Sequence, residues 1–133
     1  MPDHYPYDYA VFRVVPRVER EEFVNVGVIV SCPDRNFLEA RFEVDEQRLK
    51  ALDAGIDIEA IRGHLASIPA ICAGGDQAGP IGNLSQRERF HWLVAPRSTT
   101  IQVSPVHTGS CSDPVDVLEH LLNTMVRPNP NPK

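Results

Sequence analysis

The sequence predicts an α+β domain in which an antiparallel sheet, an N-terminal three-stranded meander plus a later strand, packs with helices mainly on one face. Aromatic and β-branched residues dominate the first third of the chain, whereas helical periodicity and helix-capping residues dominate the rest. Strands followed by helices are typical of α+β folds. The 133 residues suit one domain. We expect it to span residues 1–126, with a disordered, proline-rich tail over 127–133.

Three segments carry the composition of strands, at residues 7–15, 23–31 and 37–44. The second and third are joined by turn-forming residues, so they are predicted to form a hairpin. Its register is set by the apolar faces. The predicted pairs are Val30 with Leu38, Val28 with Ala40, Val26 with Phe42, and Val24 with Val44. This register also places Gly27 opposite Arg41 and leaves room there for the flat guanidinium group.

Helices are predicted after the meander from their caps. Asp45 and Asp57 are N-cap residues for two helices, of which the first ends near Leu52 and the second is expected to kink or end at Pro69. A glycine-rich loop follows over residues 73–83.

The remaining elements are predicted from local signals of the same kind. Ser85 and Glu88 have the spacing of a capping box, which opens a short helix to about Leu93. Residues 99–104 are predicted to form a strand. Asp113 followed by Pro114 begins the last helix.

Composition argues against several classes of function. The net charge is −5, and the arginines near the N-terminus alternate with glutamates, which disfavours nucleic-acid binding. The three cysteines are widely spaced and the five histidines show no metal-ligand spacing, so we expect reduced thiols, no metal and no cofactor. The longest apolar run is too short to span a membrane. A cytoplasmic protein is therefore predicted, and its oligomeric state is left open.

Two stretches carry a family resemblance. One is Glu-Phe-Val-Asn-Val-Gly-Val at residues 22–28, and the other is Glu-Arg-Phe-His-Trp-Leu-Val-Ala-Pro-Arg-Ser at 88–98, which runs on to Gln-Val-Ser-Pro-Val-His-Thr-Gly at 102–109. Together they resemble a bacterial family called domain of unknown function 3037, over roughly residues 5–126. The resemblance implies no assigned activity. It does suggest that members of the family are often encoded beside HipA-like kinases, in a toxin–antitoxin or defence setting.

Polar residues in these stretches are the candidates for a site. Asn25 and Arg41 lie on the predicted non-valine face of the hairpin, with Glu22 at its rim. The second stretch supplies the other candidates: Arg89, Arg97, Ser98, Gln102, Ser104 and His107. Arginine forks suit carboxylate or phosphate groups, and histidine moves protons near neutral pH. Each residue also has a structural interpretation, as a strand edge, an ordered turn or an ion pair.

Two functions follow from these residues. The first is a non-enzymatic accessory module that binds a protein partner, with a HipA-like kinase as one possibility, because no complete catalytic motif is present. The second is binding or hydrolysis of a small anionic ligand such as a nucleotide or phosphate ester. In that case Arg41, Arg89 and Arg97 would hold the anion, and His107 with Glu22 would act in acid–base catalysis. This second function requires the five side chains to meet in one cleft.

Overall fold

The computed structural model describes residues 4–128. Within them the strands are β1 (Tyr5–Val14), β2 (Val24–Cys32), β3 (Phe37–Phe42), β4 (Ile101–Val103) and β5 (His107–Cys111). They form one sheet in the order β3-β2-β1-β4, in which β5 also pairs with β1 and every pairing is antiparallel. The predicted α+β class and the N-terminal meander are confirmed.

The strands β4 and β5 share the outer edge of β1. Strand β4 pairs with its C-terminal part and β5 with its N-terminal part. Ser104 bridges the break between them, because its backbone N–H donates to the Val11 carbonyl at 2.9 Å and its hydroxyl oxygen accepts the Val11 N–H at 2.9 Å. The later strand was predicted, but β5 was not. Its glycine and serine residues are poor strand formers, so the sequence pattern did not indicate a strand. Gly109 lacks a side chain, which makes room for the Tyr7 ring directly over it.

The helices begin where their caps predict. They are α1 (Glu46–Leu52), α2 (Ile58–Ala73), α3 (Gln86–Val94) and α4 (Pro114–Leu121), and α4 continues as a π-helical turn over Leu122–Val126. The side chains of Asp45, Asp57, Ser85 and Asp113 each accept a backbone N–H of the first turn. Helix α2 runs through Pro69 and ends only before Gly74. The predicted glycine-rich loop holds 3₁₀ turns over Asp76–Asn83.

Helices cover the sheet unevenly on its two faces. On the face we call the α2 face, strand residues such as Phe12 and Ile29 pack with residues of α1, α2 and α3 in the larger core. On the opposite face, called the α4 face, Val28 and Val30 pack with Leu118 and other residues of α4 and the π-helical turn. Strand β2 is therefore apolar on both sides and almost wholly buried.

The predicted register of the β2–β3 hairpin is wrong by one residue. The observed pairs include Gly27 with Phe42, Val28 with Arg41, and Ile29 with Ala40. The four valines of β2 in the predicted pairs are buried as expected, but they are divided between the two faces. The gap at Gly27 is filled by the Phe42 ring and not by Arg41. The prediction failed because it assumed one polar face, whereas helices cover both.

A β-bulge explains the division of the valines. The pairing of β1 with β2 shifts between Phe12, which faces Gly27, and Arg13, which faces Asn25. Val26 is the extra residue, so Val24 and Val26 join the larger core while Asn25 turns to the α4 face. Bulges of this kind re-aim side chains and often lie beside functional sites.

The C-terminal end of the described chain is fixed to the sheet. Arg127, which the sequence placed in a disordered tail, forms ion pairs of 2.6 Å with both Glu43 and Glu119. Glu43, which directly follows β3, is far from Arg127 in the sequence, and Glu119 lies on α4, so only the folded chain brings both acidic partners to Arg127. The rest of the predicted tail, 129–133, lies outside the described residues. Among the helices of residues 4–128, none has the length and apolar character needed to cross a bilayer.

Candidate functional site

Arg41, predicted to bind an anion, belongs to an ionic cluster within the protein. Its guanidinium group pairs with Glu39 at 2.9 Å and with Glu119 at 3.0 Å. Glu119 is shared with Arg127, which also reaches Glu43. The cluster ties β3 to α4 and its π-helical turn. The pKa of Glu119 is held below its usual value, first by the hydrogen bond from Arg127 and then by the positive charges of Arg127 and Arg41.

Arg89 stabilises the end of a helix. Its guanidinium group donates to the carbonyls of Ile71 at 2.9 Å and Cys72 at 2.5 Å, and its Nε donates to Leu84 at 3.1 Å. Two of these carbonyls belong to the last turn of α2, where carbonyls lack helical partners and a cation is favourable. The structural interpretation therefore accounts for Arg89.

Glu22, Arg97 and His107 contact different partners. Glu22 forms an ion pair of 2.8 Å with Arg20, and this hydrogen bond lowers the pKa of the Glu22 carboxyl group. Arg97 lies over the Trp92 ring, in a cavity whose lining residues do not include Glu22 or His107. The exposed His107 ring lies 5.2 Å from that of Tyr9. The acid–base arrangement that the second function requires is not formed in this geometry.

The serine candidates order the backbone. The Ser98 hydroxyl oxygen accepts the N–H groups of Thr100 at 3.1 Å and Ile101 at 3.2 Å, which shapes the turn before β4. Ser104 joins β4 to β5 through its contacts with Val11. Neither hydroxyl is hydrogen-bonded to a histidine among the described residues, so no nucleophile and base pair is assembled there.

Two predicted residues, Asn25 and Gln102, are brought into one row by a third that the sequence analysis missed. Arg13 pairs with Asn25 on β2 and with Gln102 on β4, so the three residues lie side by side across three strands. Since Phe12 and Val14 point into the larger core, Arg13 projects to the α4 face. Asn25 donates to the Met125 carbonyl at 2.9 Å and Gln102 to the Thr99 carbonyl at 2.9 Å.

Arg13 has no such partner among the described residues. Within residues 4–128 it takes part in no ion pair, and its Nε is shielded from water without an acceptor. Its guanidinium carbon lies 4.4 Å from the centre of the Phe23 ring, a cation–π contact that fixes the group in place. A buried donor without an acceptor costs about 1–3 kcal/mol, so this arrangement is unfavourable in the isolated domain.

A shallow cavity of about 250 Å³ opens at this arginine. It is lined by Arg13, Val15, Val18, Glu21, Phe23 and Gln102. Val18 and Phe23 are 49% and 46% exposed, which is high for large apolar side chains. Glu21 stands at the rim, but it forms no ion pair with Arg13. The site thus combines a fixed cationic fork, an amide and two exposed apolar side chains, and we call it the Arg13 site.

The side chains of the Arg13 site are chemically suited to a hydrogen-bond acceptor. An arginine fork binds a carboxylate through charge-assisted hydrogen bonds, and the neighbouring apolar residues offer contact area. The described residues contain no cluster of histidine, cysteine and acidic side chains able to hold a metal ion. All three cysteines are buried, and burial raises the pKa of the Cys72 thiol to about 12, so this thiol is un-ionised near neutral pH.

A signal for Arg13 was present in the sequence. In β1 it occupies the alternating series of Tyr7, Tyr9 and Val11, a series that must face the same side of the sheet. A charged residue that continues a half-buried series is unusual. Pairing β1 with β2 would have placed it near Asn25, but the bulge at Val26 could not be inferred from local patterns.

Comparison with known proteins gives one family. Its model, described as protein of unknown function (DUF3037), matches residues 9–126. Neither the curated proteins nor the solved structures contain a match. The matched range includes β2, the Arg13 site and the motif stretch that runs through α3, β4 and β5. The chain therefore belongs to the DUF3037 family of proteins of unknown function.

Proposed function

We propose that this protein is a non-enzymatic binding module that docks a partner protein through the Arg13 site. The observation that carries the proposal is the buried Nε of Arg13, which has no acceptor in the described chain although it lies beside two exposed apolar side chains, Val18 and Phe23. Docking that displaces the exposed Phe23 side chain would bring a partner's acceptor to that donor and remove the cost of leaving it unpaired. The domain would then be complete only when it is bound.

The partner's contribution follows from the lining of the cavity. A carboxylate from an aspartate or glutamate side chain matches the guanidinium fork, and an apolar side chain next to it would cover Val18 and Phe23. Glu21 at the rim opposes an acidic group by charge repulsion. Its replacement by glutamine should therefore strengthen binding, so this variant tests the proposal by an increase in affinity.

The first partner to test is a HipA-like kinase, because the family resemblance suggests that such a kinase is encoded nearby. In the toxin–antitoxin or defence setting that this partner implies, the small acidic module would control the kinase by docking onto it. The Arg13 site does not depend on that choice, because its chemistry specifies an acidic and apolar patch on whichever protein docks.

The test is a calorimetric titration of the protein with a HipA-like kinase from the same genome. We expect Arg13→Met to weaken binding about tenfold or more, which corresponds to the loss of charge-assisted hydrogen bonds. Phe23→Ala should also weaken it, and Glu21→Gln should strengthen it. Arg87→Met on the exposed side of α3 removes the same charge elsewhere and should change nothing. If Arg13→Met and Phe23→Ala leave the affinity unchanged, the Arg13 site is not the docking surface. If no complex forms at micromolar concentrations, the kinase is not the partner.

A further inference from the structure

A second cavity lies on the α2 face, away from the Arg13 site. Its volume is about 390 Å³, within the range of small-molecule sites. It is enclosed by β1, β4, α2, α3 and the loop after α3. The lining residues are Phe12, His64, Ser67, Ile68, Trp92, Leu93, Ala95, Arg97, Ser98, Ile101 and Val103.

The floor of this cavity is apolar and its rim is polar. Phe12, Ile68 and Leu93 belong to the larger core and form the inner wall with residues of β4. His64 and Ser67 lie one turn apart on the exposed side of α2, opposite Arg97. No aspartate or glutamate is among the lining residues. A ligand with an apolar body and a negatively charged end would fit this division.

Arg97 is held in position at the rim. Its Nη1 donates to the Trp92 carbonyl, in the last turn of α3, and its guanidinium carbon lies 3.7 Å from the centre of the Trp92 ring. Its Nε and Nη2 make no hydrogen bond or ion pair with the described residues, whereas the Nε of Arg41 and that of Arg127 each donate to a glutamate. The stacked fork therefore presents unused donors at a fixed place, and partial burial lowers its pKa without removing its charge.

We propose that this cavity binds a small monocarboxylate whose body is aromatic or branched aliphatic. The carboxylate lies on the free edge of the Arg97 guanidinium group, in the cavity that Ser67 and His64 also line, and the body lies on Phe12, Ile68 and Leu93. A single arginine with neutral hydroxyl donors suits a monoanion, whereas a phosphate dianion without an apolar body would leave the floor uncovered. The proposal is independent of partner docking at the Arg13 site.

The single tryptophan of the chain gives a direct readout, since Trp92 lines the cavity and carries Arg97 on its ring. The probes are phenylacetate, its neutral counterpart phenylacetamide, and inorganic phosphate, each titrated into the full chain with fluorescence excited in the indole band. We expect saturable change with phenylacetate at a Kd of about 1 mM or below, as suits a ligand of this size. Phenylacetamide should bind about tenfold more weakly, and phosphate should not saturate.

Variants assign the site. Arg97→Gln should weaken phenylacetate binding about tenfold, whereas Arg87→Gln on α3, outside the cavity, should leave it unchanged. Ser67→Phe fills the cavity from an exposed helical position and should abolish binding without unfolding the protein, as checked by thermal denaturation. Equal binding of phenylacetate and phenylacetamide, tighter binding of phosphate, or binding unaffected by both Arg97→Gln and Ser67→Phe would overturn the proposal, as would no response to phenylacetate at all.

Discussion

Two regions on the α4 face of the sheet use arginine in opposite ways. In the ionic cluster, Arg41 and Arg127 share Glu119 and also bind Glu39 and Glu43, so every charge there has a partner within the chain. At the Arg13 site the guanidinium group lies over the Phe23 ring, and its Nε is buried without an acceptor in the part of the chain that the structure describes.

The difference lies in what surrounds each arginine. The ionic cluster has Glu39 on β3, Glu43 directly after that strand and Glu119 on α4, and each of them pairs with an arginine on the α4 face. The Arg13 site has an amide and apolar side chains as its neighbours, and its one acidic lining residue, Glu21, forms no ion pair with Arg13. A satisfied cluster serves the fold, whereas an unsatisfied cation fixed in place is suited to receive a group from outside.

The largest expected effect tests the register that separates the two regions. A Cβ at Gly27 would overlap the Phe42 ring and come within 2.8 Å of the Arg41 carbonyl oxygen. Gly27→Ala should therefore lower the free energy of unfolding by about 1–3 kcal/mol, as measured by urea denaturation. In the register predicted from sequence, Gly27 faces the flexible Arg41 side chain and the alanine would be tolerated.

A matched glycine provides the control. Gly63 lies in the interior of α2 with open space around it. Gly63→Ala should stabilise the protein by about 0.5–1 kcal/mol through its helix propensity. If Gly27→Ala were as well tolerated as Gly63→Ala, the observed pairing of Gly27 with Phe42 would be incorrect.

The same hairpin shows how far the sequence could predict the fold. Local signals gave the three strands of the meander and the N-caps Asp45, Asp57, Ser85 and Asp113, because capping and β propensity act over a few residues. The register depended on α4 covering the second face, a long-range contact. Once both faces are buried, apolar alternation no longer distinguishes one register from its neighbour.

The candidate site was predictable only in part for the same reason. Asn25 and Gln102 were identified as unusual polar residues, and both belong to the row that contains Arg13. The sequence could not distinguish Arg41 and Arg89 from arginines whose donors are free to bind a ligand. Their partners Glu119 and Ile71 are distant in the chain, so only the folded structure reveals that these donors are occupied.

The second expected effect compares the two regions directly. Arg41→Met removes both ion pairs of that residue and should lower the free energy of unfolding by about 0.5–1 kcal/mol. Arg13→Met keeps the aliphatic stem but removes an unpaired buried donor, so stability should be unchanged or raised by up to about 1 kcal/mol, after the lost cation–π contact is included. Urea denaturation followed by Trp92 fluorescence measures both. A larger loss for Arg13→Met than for Arg41→Met would mean that Arg13 serves the fold.

The smallest expected effect concerns acid. The hydrogen bond from Arg127 and the nearby cations lower the pKa of Glu119 in the folded protein, so its ionised form adds stability above the pKa of the unfolded chain, about 4.3. That contribution is lost as the pH falls through the lower folded value. The stability difference between the natural protein and Glu119→Gln should thus be largest near neutral pH, shrink in acid below about pH 4, and weaken in high salt. Glu21→Gln removes a carboxylate that forms no ion pair within residues 4–128, and it is the control for the loss of one negative charge. A constant difference for Glu119→Gln at every pH would instead attribute its effect to packing and would remove the ionic cluster from the comparison with Arg13.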